Sequence, residues 1–253
     1  MSRALLSVLA IAPDFTDDGR MPPATARARV RAELTSEILD AARRQLAEHG
    51  SASLSVRAVA REVGMVSSAV YRYFPSRDEL LTALIMDAYN SLGETVERAE
   101  RRPARAAHFE RWTAICRAVR SWALAHPHEY SLIYGSPVPG YQAPVTTIAP
   151  ATRVALVLLQ LLIDAQNAGT LADLPAIHRP GKALARDLDR LESVFVGMPE
   201  ETIVRALAAW ASLYGIVSFE LFGHFHNVVS AYSQYFDAAT ISLATFVGLP
   251  TGP

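Results

Sequence analysis

The chain has 253 residues, of which 51% are hydrophobic and 19% charged. This composition can bury a sizeable core, so global disorder is excluded. The formal net charge is only −1, but residues 20–77 carry ten arginines against five acidic side chains. An excess of positive charge in one part of a chain indicates that this part contacts a polyanion.

Cysteine use and hydropathy exclude further classes of protein. Cys116 is the single cysteine, so neither an intrachain disulfide nor a multi-cysteine metal site is expected, which fits a cytoplasmic protein. No eighteen-residue stretch is both apolar and uncharged, so no membrane span is predicted. Residues 1–24 contain a short apolar run and an alternative start at Met21, and we expect them to form a flexible extension.

The first predicted helix follows Pro22-Pro23 and an arginine-rich segment that we interpret as an extended arm. Apolar residues recur at helical spacing over residues 32–48 and predict a buried helix face there. His49-Gly50 ends the helix, with glycine as the left-handed cap. The basic residues of the arm are Arg27, Arg29 and Arg31.

Two short helices joined by a tight turn are predicted next. Ser55 is a suitable N-cap for a helix over residues 56–63, and Gly64-Met65-Val66 interrupts it. Ser67 is predicted to cap a second helix, which continues through Tyr71-Arg72-Tyr73 and contains no acidic residue. This pattern indicates a helix-turn-helix, whose second helix enters the major groove of DNA.

A long helix and a larger helical region complete the chain. Ser76 and Glu79 have the spacing of a capping box and start a helix that continues to about Glu100. No alternating strand pattern appears, so the predicted fold is all-α, with a DNA-binding domain over 25–78 and a C-terminal domain over 79–253. The later helices are predicted at about 104–126, 127–135, 149–169, 181–196, 200–224 and 228–247.

The order of these features resembles the TetR family of bacterial repressors. The resemblance covers residues 32–86 and comprises the first amphipathic helix, the Ala-x-x-Val-Gly turn, the Tyr-Arg-Tyr-Phe run and the Pro-Ser-Arg-Asp-Glu-Leu-Leu that follows. The family's usual turn is Gly-Val-Ser, whereas this chain has Gly64-Met65-Val66. The resemblance implies a dimeric, double-stranded DNA-binding protein that recognises a palindromic operator.

The side-chain chemistry of the predicted DNA-binding domain indicates which residues contact DNA. Arg72 can pair bidentately with guanine, the serine and tyrosine hydroxyls reach bases or phosphates, and the arginine arm fits a minor groove. The family's basic phosphate contact at the start of the next helix corresponds to Arg77. Tyr71 as core and Arg57 as an ordinary solvated residue remain alternatives. The candidate contacts are Arg29, Arg31, Arg57, Ser67, Ser68, Tyr71, Arg72, Tyr73 and Arg77.

The C-terminal region resembles a TetR subgroup that is named for a Trp-His-Gly signature. The matching stretch is Trp210-Ala-Ser-Leu-Tyr214-Gly215, in which tyrosine replaces the histidine, and residues 126–141 also resemble this subgroup. The resemblance implies a small-molecule effector and a homodimer formed by the last two helices. Aromatic residues predict an apolar or aromatic effector, although ordinary core packing is an alternative. The candidate ligand contacts are Trp112, Tyr130, Tyr134, Trp210 and Tyr214.

The dimer prediction also has a basis in the sequence. The last two helices carry more apolar residues than one chain would bury, and an exposed apolar surface usually marks an interface. The residues predicted to be exposed are Leu207, Leu213, Phe222, Val229, Tyr232, Phe236 and Ile241.

Two other functions remain open from the sequence. The first is a metal-dependent enzyme that uses His126, His128 and Glu129 or the His224/His226 pair, but neither group matches a known motif. No cofactor is expected, because the phosphate-binding and dinucleotide-binding fingerprints are absent. The second is a DNA-binding regulator that responds to no small molecule.

Overall fold

The computed structural model describes residues 26–175, 181–191, 195 and 197–251. The predicted extension over residues 1–24 therefore lies outside the described residues. Every regular element in the described ranges is helical and none is a strand, which confirms the all-α prediction. The helices are α1 (Ala26–His49), α2 (Val56–Glu62), α3 (Ser67–Val70), α4 (Arg77–Glu100), α5 (His108–Ala125), α6 (Pro127–Tyr134), α7 (Ile148–Asn167), α8 (Lys182–Leu191), α9 (Glu200–Leu221) and α10 (Tyr232–Phe246).

Helix α1 begins six residues earlier than the sequence pattern suggested. The prediction of an extended arm was wrong, since Arg27, Arg29 and Arg31 lie within the first two turns of α1. The physical reason is that this segment alternates alanine with arginine, and both residues favour a helix. A helix with side chains is about 10–12 Å wide and the minor groove only about 6 Å, so these arginines do not enter it as an arm.

The described residues divide into two compact units. One consists of residues 26–89 together with 126–147, and the other of residues 90–125 together with the described residues from 148 onward. The sequence pattern grouped residues 126–147 with the C-terminal domain, whereas their contacts group them with the helix-turn-helix. Helix α4 contributes residues to both units.

The first unit is built around one apolar cluster from α1 to α4. Its predicted core residues are buried, including Ile38, Ala41 and Val59, each of which is fully inaccessible to solvent. Residues of α6 and the following loop pack against this cluster, among them Leu132 and Tyr141. Burial of each large aliphatic side chain contributes roughly 1.5–3 kcal/mol, so this segment is an integral part of the unit.

Polar contacts also hold residues 126–147 in the first unit. The Tyr141 hydroxyl lies 2.8 Å from the Thr82 hydroxyl, and the Tyr89 hydroxyl donates to the Ile133 carbonyl at 3.3 Å. Arg43 of α1 forms ion pairs with Asp87 and, at 3.6 Å, with Glu129. These contacts join helices that are distant in sequence.

The second unit contains a buried ionic network. The Arg111 side chain is fully buried, and it donates to Glu100 Oε1 at 2.7 Å, to the Arg105 carbonyl at 2.9 Å and to Asp164 Oδ2 at 2.7 Å. Burial alone would raise the pKa of Asp164, but hydrogen bonds from Gln160 and Arg111 and the nearby arginine charges outweigh it, so the pKa is lowered. The network ties α4, α5 and α7 together.

Two helices are long and apolar enough to cross a bilayer when only length and composition are considered. They span Val145–Asn167 and Glu200–Leu221. Each carries charged side chains that are paired within the second unit: Arg153 donates to Glu97 at 2.8 Å, and Arg120 donates to Glu220 at 2.6 Å. Such pairs are typical of a folded helical body, and the expectation of no membrane span remains a prediction.

Candidate nucleic-acid interface

The turn of the helix-turn-helix is defined by a glycine-terminated helix end. Gly64 has φ +68°, in the left-handed region that glycine adopts without strain. Its amide donates to the Arg61 carbonyl at 3.2 Å, and the Met65 amide donates to the Ala60 carbonyl at 2.9 Å. This pair of bonds is a Schellman motif, which ends α2 and redirects the chain toward α3.

Helix α3 begins differently from the prediction. Ser67 is its first residue rather than its cap, and Val66 occupies the N-cap position with an extended backbone and no side-chain hydrogen bond. The Val66 carbonyl accepts the Ala69 amide at 2.9 Å, so the backbone alone starts the helix. Val66 is 71% exposed, so its methyl groups are accessible beside the predicted DNA-reading helix.

Helix α3 also ends earlier than predicted. It spans four residues, and Tyr71, Arg72 and Tyr73 form a tight turn after it. The Tyr73 and Phe74 amides both donate to the Val70 carbonyl, at 2.9 and 3.0 Å. Val70 and Phe74 are buried and anchor both sides of this turn. Pro75 disfavours a helical conformation at Phe74, which explains why the helix does not continue.

Most predicted DNA contacts near α3 are accessible to solvent. Arg57, Ser68 and Arg72 are exposed, and Tyr71 is 39% exposed, so the alternative of Tyr71 as a core residue is wrong. Ser67 is half-buried. The accessible side chains offer a guanidinium, two kinds of hydroxyl and no negative charge, which is the chemistry that contacts phosphates and base edges.

Two of the predicted DNA contacts, Arg31 and Tyr73, lie against each other in the first unit. The Arg31 guanidinium carbon lies 5.0 Å from the centre of the Tyr73 ring. A cation over an aromatic face is attracted by the ring, so this pair fixes the N-terminal part of α1 against the turn after α3. Tyr73 is half-buried, while Arg29 is exposed on α1. Both arginines therefore belong to a helix beside the turn.

Arg77 has an internal role in the structure. Its Nε donates to the Leu54 carbonyl at 3.1 Å, and its Nη2 donates to the carbonyls of Ser51 and Ala52 at 2.8 and 3.3 Å. Its Nη1 lies 3.6 Å from the Asp78 carboxylate. The predicted phosphate contact of Arg77 stays a prediction, and these interactions give its guanidinium a structural role as well. The sequence could not reveal this, since the carbonyls come from a loop more than twenty residues away.

Sequence reasoning missed Val66 as a candidate contact. A valine stands where the family's usual turn has a serine whose hydroxyl can cap the helix. Its exposed methyl groups directly precede Ser67 and Ser68, and apolar side chains in the major groove can contact the methyl group of thymine. The signal was present as a departure from the usual turn, but its exposure could be seen only in the structure.

Comparisons with known proteins agree with this geometry. Residues 38–84, which include the whole helix-turn-helix, match the family described as bacterial regulatory proteins, tetR family. Residues 112–243 match the family described as Tetracyclin repressor-like, C-terminal domain. The chain belongs to the TetR family. Like the family it is a DNA-binding transcriptional regulator, and the Trp-His-Gly subgroup stays a prediction.

Individual relatives extend this TetR assignment over most of the chain. The HTH-type transcriptional regulator Rv1816 of Mycobacterium tuberculosis is 38% identical over 218 residues, covering 85% of this chain and 92% of the relative. The HTH-type regulator Mb1846 of Mycobacterium bovis has the same identity and coverage. The regulatory protein SCO4313, which has a crystal structure, is 32% identical to this chain in sequence and has a TM-score of 0.72. The match covers 87% of this chain and all of that chain. A Rhodococcus protein of unknown function is 26% identical, with a TM-score of 0.62 and coverage of 86% and 96%.

The predicted ligand contacts of this TetR-family protein fall into separate groups. Trp112, Trp210 and Tyr214 belong to the second unit, whereas Tyr130 and Tyr134 belong to the first. Trp112 is buried and its Nε1 donates to the Thr240 carbonyl at 2.9 Å. The Trp210 and Tyr214 rings lie edge to face with centroids 6.0 Å apart, and the two tyrosine rings of the first unit lie 5.1 Å apart.

The predicted ligand contacts line neither of two surface depressions on the described residues of the second unit. The larger, of about 360 Å³, lies between α5 and α10, where Arg117 forms an ion pair with Asp237 at 3.0 Å. The other, of about 260 Å³, lies near the start of α9 and includes Arg205. The five aromatic contacts therefore remain a prediction.

The predicted dimer surface is exposed only in part. Leu207, Phe222 and Ile241 are each at least 38% exposed, as the prediction requires. Leu213 and Phe236 are buried within the chain, so their assignment to the surface was wrong. Both lie on the inward faces of their helices, and the sequence pattern did not fix which face of each helix points inward. Val229 and Tyr232 are half-buried.

The structure also bears on the enzymatic alternative. Among the described residues, no group of three or more histidine, cysteine, aspartate or glutamate side chains is arranged to hold a metal ion. His126 Nδ1 lies 3.1 Å from Glu129 Oε2, as an ordinary pair within one helical turn. Burial raises the pKa of the Cys116 thiol, which opposes formation of a thiolate nucleophile.

Proposed function

We propose that this TetR-family regulator is a cytoplasmic repressor that binds a palindromic operator as a homodimer and is released by a small apolar or aromatic effector. The observation that carries the DNA-binding part is the exposure of Ser68, Tyr71 and Arg72 around a turn anchored by buried Val70 and Phe74. Rigidly supported polar side chains without acidic neighbours can read base edges. A two-fold dimer would present two such groups to half-sites about one helical turn apart.

The dimer and effector parts have separate support. Exposed apolar side chains on α9 and α10, such as Leu207 and Ile241, support a homodimer. The paired aromatic rings, such as Trp210 and Tyr214, support an apolar or aromatic effector. Release requires that the effector bind two arrangements of the protein with different affinity. Helix α4 is the proposed lever, because it contributes residues to both units.

A DNA titration tests the proposal. The protein would be titrated by fluorescence anisotropy against a duplex from its own upstream intergenic region and against a scrambled duplex, at two salt concentrations. We expect tight, sequence-dependent and salt-sensitive binding. Arg72→Ala should lose about 10-fold or more on the operator, equivalent to about 1–3 kcal/mol, and much less on the scrambled duplex.

A matched control separates base reading from simple charge removal. Arg102→Ala removes the same charge from an exposed arginine of the other unit, and it should leave the ratio of operator to scrambled affinity unchanged. Equal losses on both duplexes for Arg72→Ala would contradict the base-reading role. If the wild-type protein binds both duplexes equally weakly, this contradicts both the choice of the upstream region as the operator and specific repression from that region.

A regulator without a small-molecule effector is the second candidate. The observation that favours it is that the predicted aromatic contacts line neither of the two depressions described above. Native mass spectrometry of the purified protein distinguishes the two candidates. A co-purifying apolar molecule whose removal changes operator affinity supports the effector. Unliganded protein, with operator affinity unchanged across an apolar compound panel, supports the second candidate.

A further inference from the structure

Val66 is the one exposed aliphatic side chain of the helix-turn-helix, residues 56–74, all of which the structure describes. Its neighbours Val63 and Met65 pack against the apolar cluster of the first unit, whereas Val66 is 71% exposed. In α3 itself, Ala69 is half-buried and Val70 is fully buried. The turn therefore leaves one pair of methyl groups accessible next to the predicted DNA contacts.

The start of α3 does not use the side chain of Val66. This residue occupies the N-cap with an extended backbone, and its carbonyl accepts the Ala69 amide at 2.9 Å. Valine has no side-chain oxygen that could accept a further amide, whereas serine, threonine, aspartate or asparagine would cap the helix and stabilise it. Local stability therefore does not explain the valine, and a contact outside the chain would.

The major groove of DNA offers a valine one well-matched apolar partner. The base edges there present hydrogen-bond donors and acceptors, and thymine adds its C5-methyl group. Methyl groups that pack on this methyl exclude water without covering a polar atom. On a polar base edge, the same valine would remove water from a donor or acceptor and supply no hydrogen bond in return, which is unfavourable. An accessible valine in the groove thus favours thymine at the position that it faces.

The neighbours of Val66 leave room for such a contact to add selectivity. The first residues of a recognition helix contact base edges, and Val66 directly precedes Ser67, the first residue of α3. Ser68 is exposed as well, but a hydroxyl both donates and accepts hydrogen bonds and so distinguishes bases poorly. Residues 63–77 contain no acidic side chain, so no carboxylate of this segment repels the phosphates beside the groove.

We infer that Val66 reads the C5-methyl group of a thymine in each half-site of the operator. The inference rests on the operator binding of the proposed function and specifies one base that the operator must contain. A two-fold dimer reads the same thymine twice, once in each half-site. Loss of one methyl contact corresponds to about a 4-fold loss of affinity, and loss of both to about 15-fold.

Selection from a random pool of DNA duplexes supplies the operator without an assumption about its place in the genome. We expect the wild-type protein to enrich a palindromic site with an invariant T·A pair in each half-site. Selection with Val66→Ser should enrich the same site with that pair no longer invariant. A wild-type site without an invariant thymine, or a Val66→Ser site in which it stays invariant, would overturn the inference.

Deoxyuridine tests the methyl group alone, because uracil keeps the hydrogen-bonding groups of thymine and lacks only the methyl. In anisotropy titrations of the selected operator, deoxyuridine at both thymines should weaken wild-type binding by about 15-fold. Val66→Ser should bind the two duplexes with equal affinity, and this ratio is insensitive to any new contact of the serine with phosphate. A wild-type ratio near one would overturn the inference. So would a Val66→Ser ratio equal to that of the wild type, which would assign the methyl to another side chain, such as Tyr71.

Two controls separate this contact from exposure and from folding. Val145 is also 71% exposed and belongs to the same unit, but it lies outside the helix-turn-helix. Val145→Ser should keep the wild-type ratio, and its loss in this variant too would overturn the inference. Val66→Ser should have a Tm equal to or above that of the wild type, because serine can cap α3. Its lost preference for thymine therefore does not reflect unfolding.

The outcomes also separate this inference from operator binding itself. A wild-type protein that enriches one site, but binds it equally well with thymine or deoxyuridine, would refute the contact of Val66 and leave the specific DNA-binding regulator intact. A wild-type protein that enriches no site and binds all duplexes alike would refute both.

Discussion

Replacing Arg111 with methionine should destabilise the second unit strongly. The guanidinium is fully buried and bonded to Glu100, Asp164 and the Arg105 carbonyl. Breaking a buried ionic network by removing one partner usually costs about 3–5 kcal/mol, because the remaining charge stays in a poorly solvated site. Arg105 remains as a partner of both carboxylates, so we expect the lower end, about 3 kcal/mol.

The assay is urea unfolding followed by circular dichroism at equal protein concentrations, with thermal unfolding as a second measure. A loss of about 3 kcal/mol corresponds to a fall in Tm of about 6–12 °C for a chain of this size. Arg117→Met is the matched control, because Arg117 also pairs with an aspartate, Asp237, but is 60% exposed. An exposed ion pair contributes about 0–1 kcal/mol, so the control should lose little stability.

The two carboxylates that Arg111→Met leaves without this partner provide a second test. If buried charge causes the loss, Arg111→Met combined with Glu100→Gln and Asp164→Asn should recover part of it, since the uncompensated charges are gone. Equal destabilisation by Arg111→Met and Arg117→Met would refute the burial argument. A triple variant no more stable than Arg111→Met would show that lost packing of the long side chain, and not stranded charge, dominates.

Three further predictions follow from single residues. Gly64→Ala should destabilise the protein by about 1–2 kcal/mol in thermal unfolding, because φ is +68° there and alanine avoids the left-handed region. Gly64→Asn should lose less stability, because asparagine tolerates that region better. Equal stabilities of the two variants would contradict the left-handed cap. Arg77→Ala should lower stability through loss of its carbonyl bonds but leave the salt dependence of DNA binding unchanged. A salt-dependence slope that is lower by about 1 would instead support the predicted phosphate contact. Asp164→Asn should be less stable than the wild type at pH values above the ordinary carboxyl pKa of 3.8, where the wild-type carboxylate is charged. The difference should vanish as the pH falls through the lowered folded-state pKa of Asp164, because the wild-type carboxyl is then protonated too. A difference in urea midpoint that does not change with pH would refute this.

The fold was predictable where the chain has local, periodic signals. Apolar spacing identified the helices, and Gly64 marked the turn between α2 and α3. The charge of the arginines at the start of α1 suggested an arm, although their alternation with alanine makes the segment a good helix. The early end of α3 was missed because nothing in Tyr71-Arg72-Tyr73 itself opposes a helix, and the constraint comes from Pro75.

The candidate site was predictable in composition but not in geometry. A helical spacing that turns Val70 and Phe74 inward predicts that Ser68 and Arg72 are exposed, and both are, although Arg72 lies in the turn after α3. The internal bonds of Arg77 depend on a distant loop, which no local pattern encodes. The burial of Leu213 shows the same limit, because a helix that is apolar on several sides does not reveal which side its own chain covers.

The packing of residues 126–147 against α1 to α4 has a consequence for building chimeric regulators. A chimera that cuts the chain once, after the helix-turn-helix, requires the DNA-reading module to be one continuous segment. In this protein the module is discontinuous, since Leu132 and Tyr141 complete its apolar cluster from beyond α5. A graft that ends at Tyr89 would leave part of that cluster open to water and would leave Thr82 without the Tyr141 hydroxyl. A transplantable module therefore needs two chain segments, or a redesigned surface where α6 now lies.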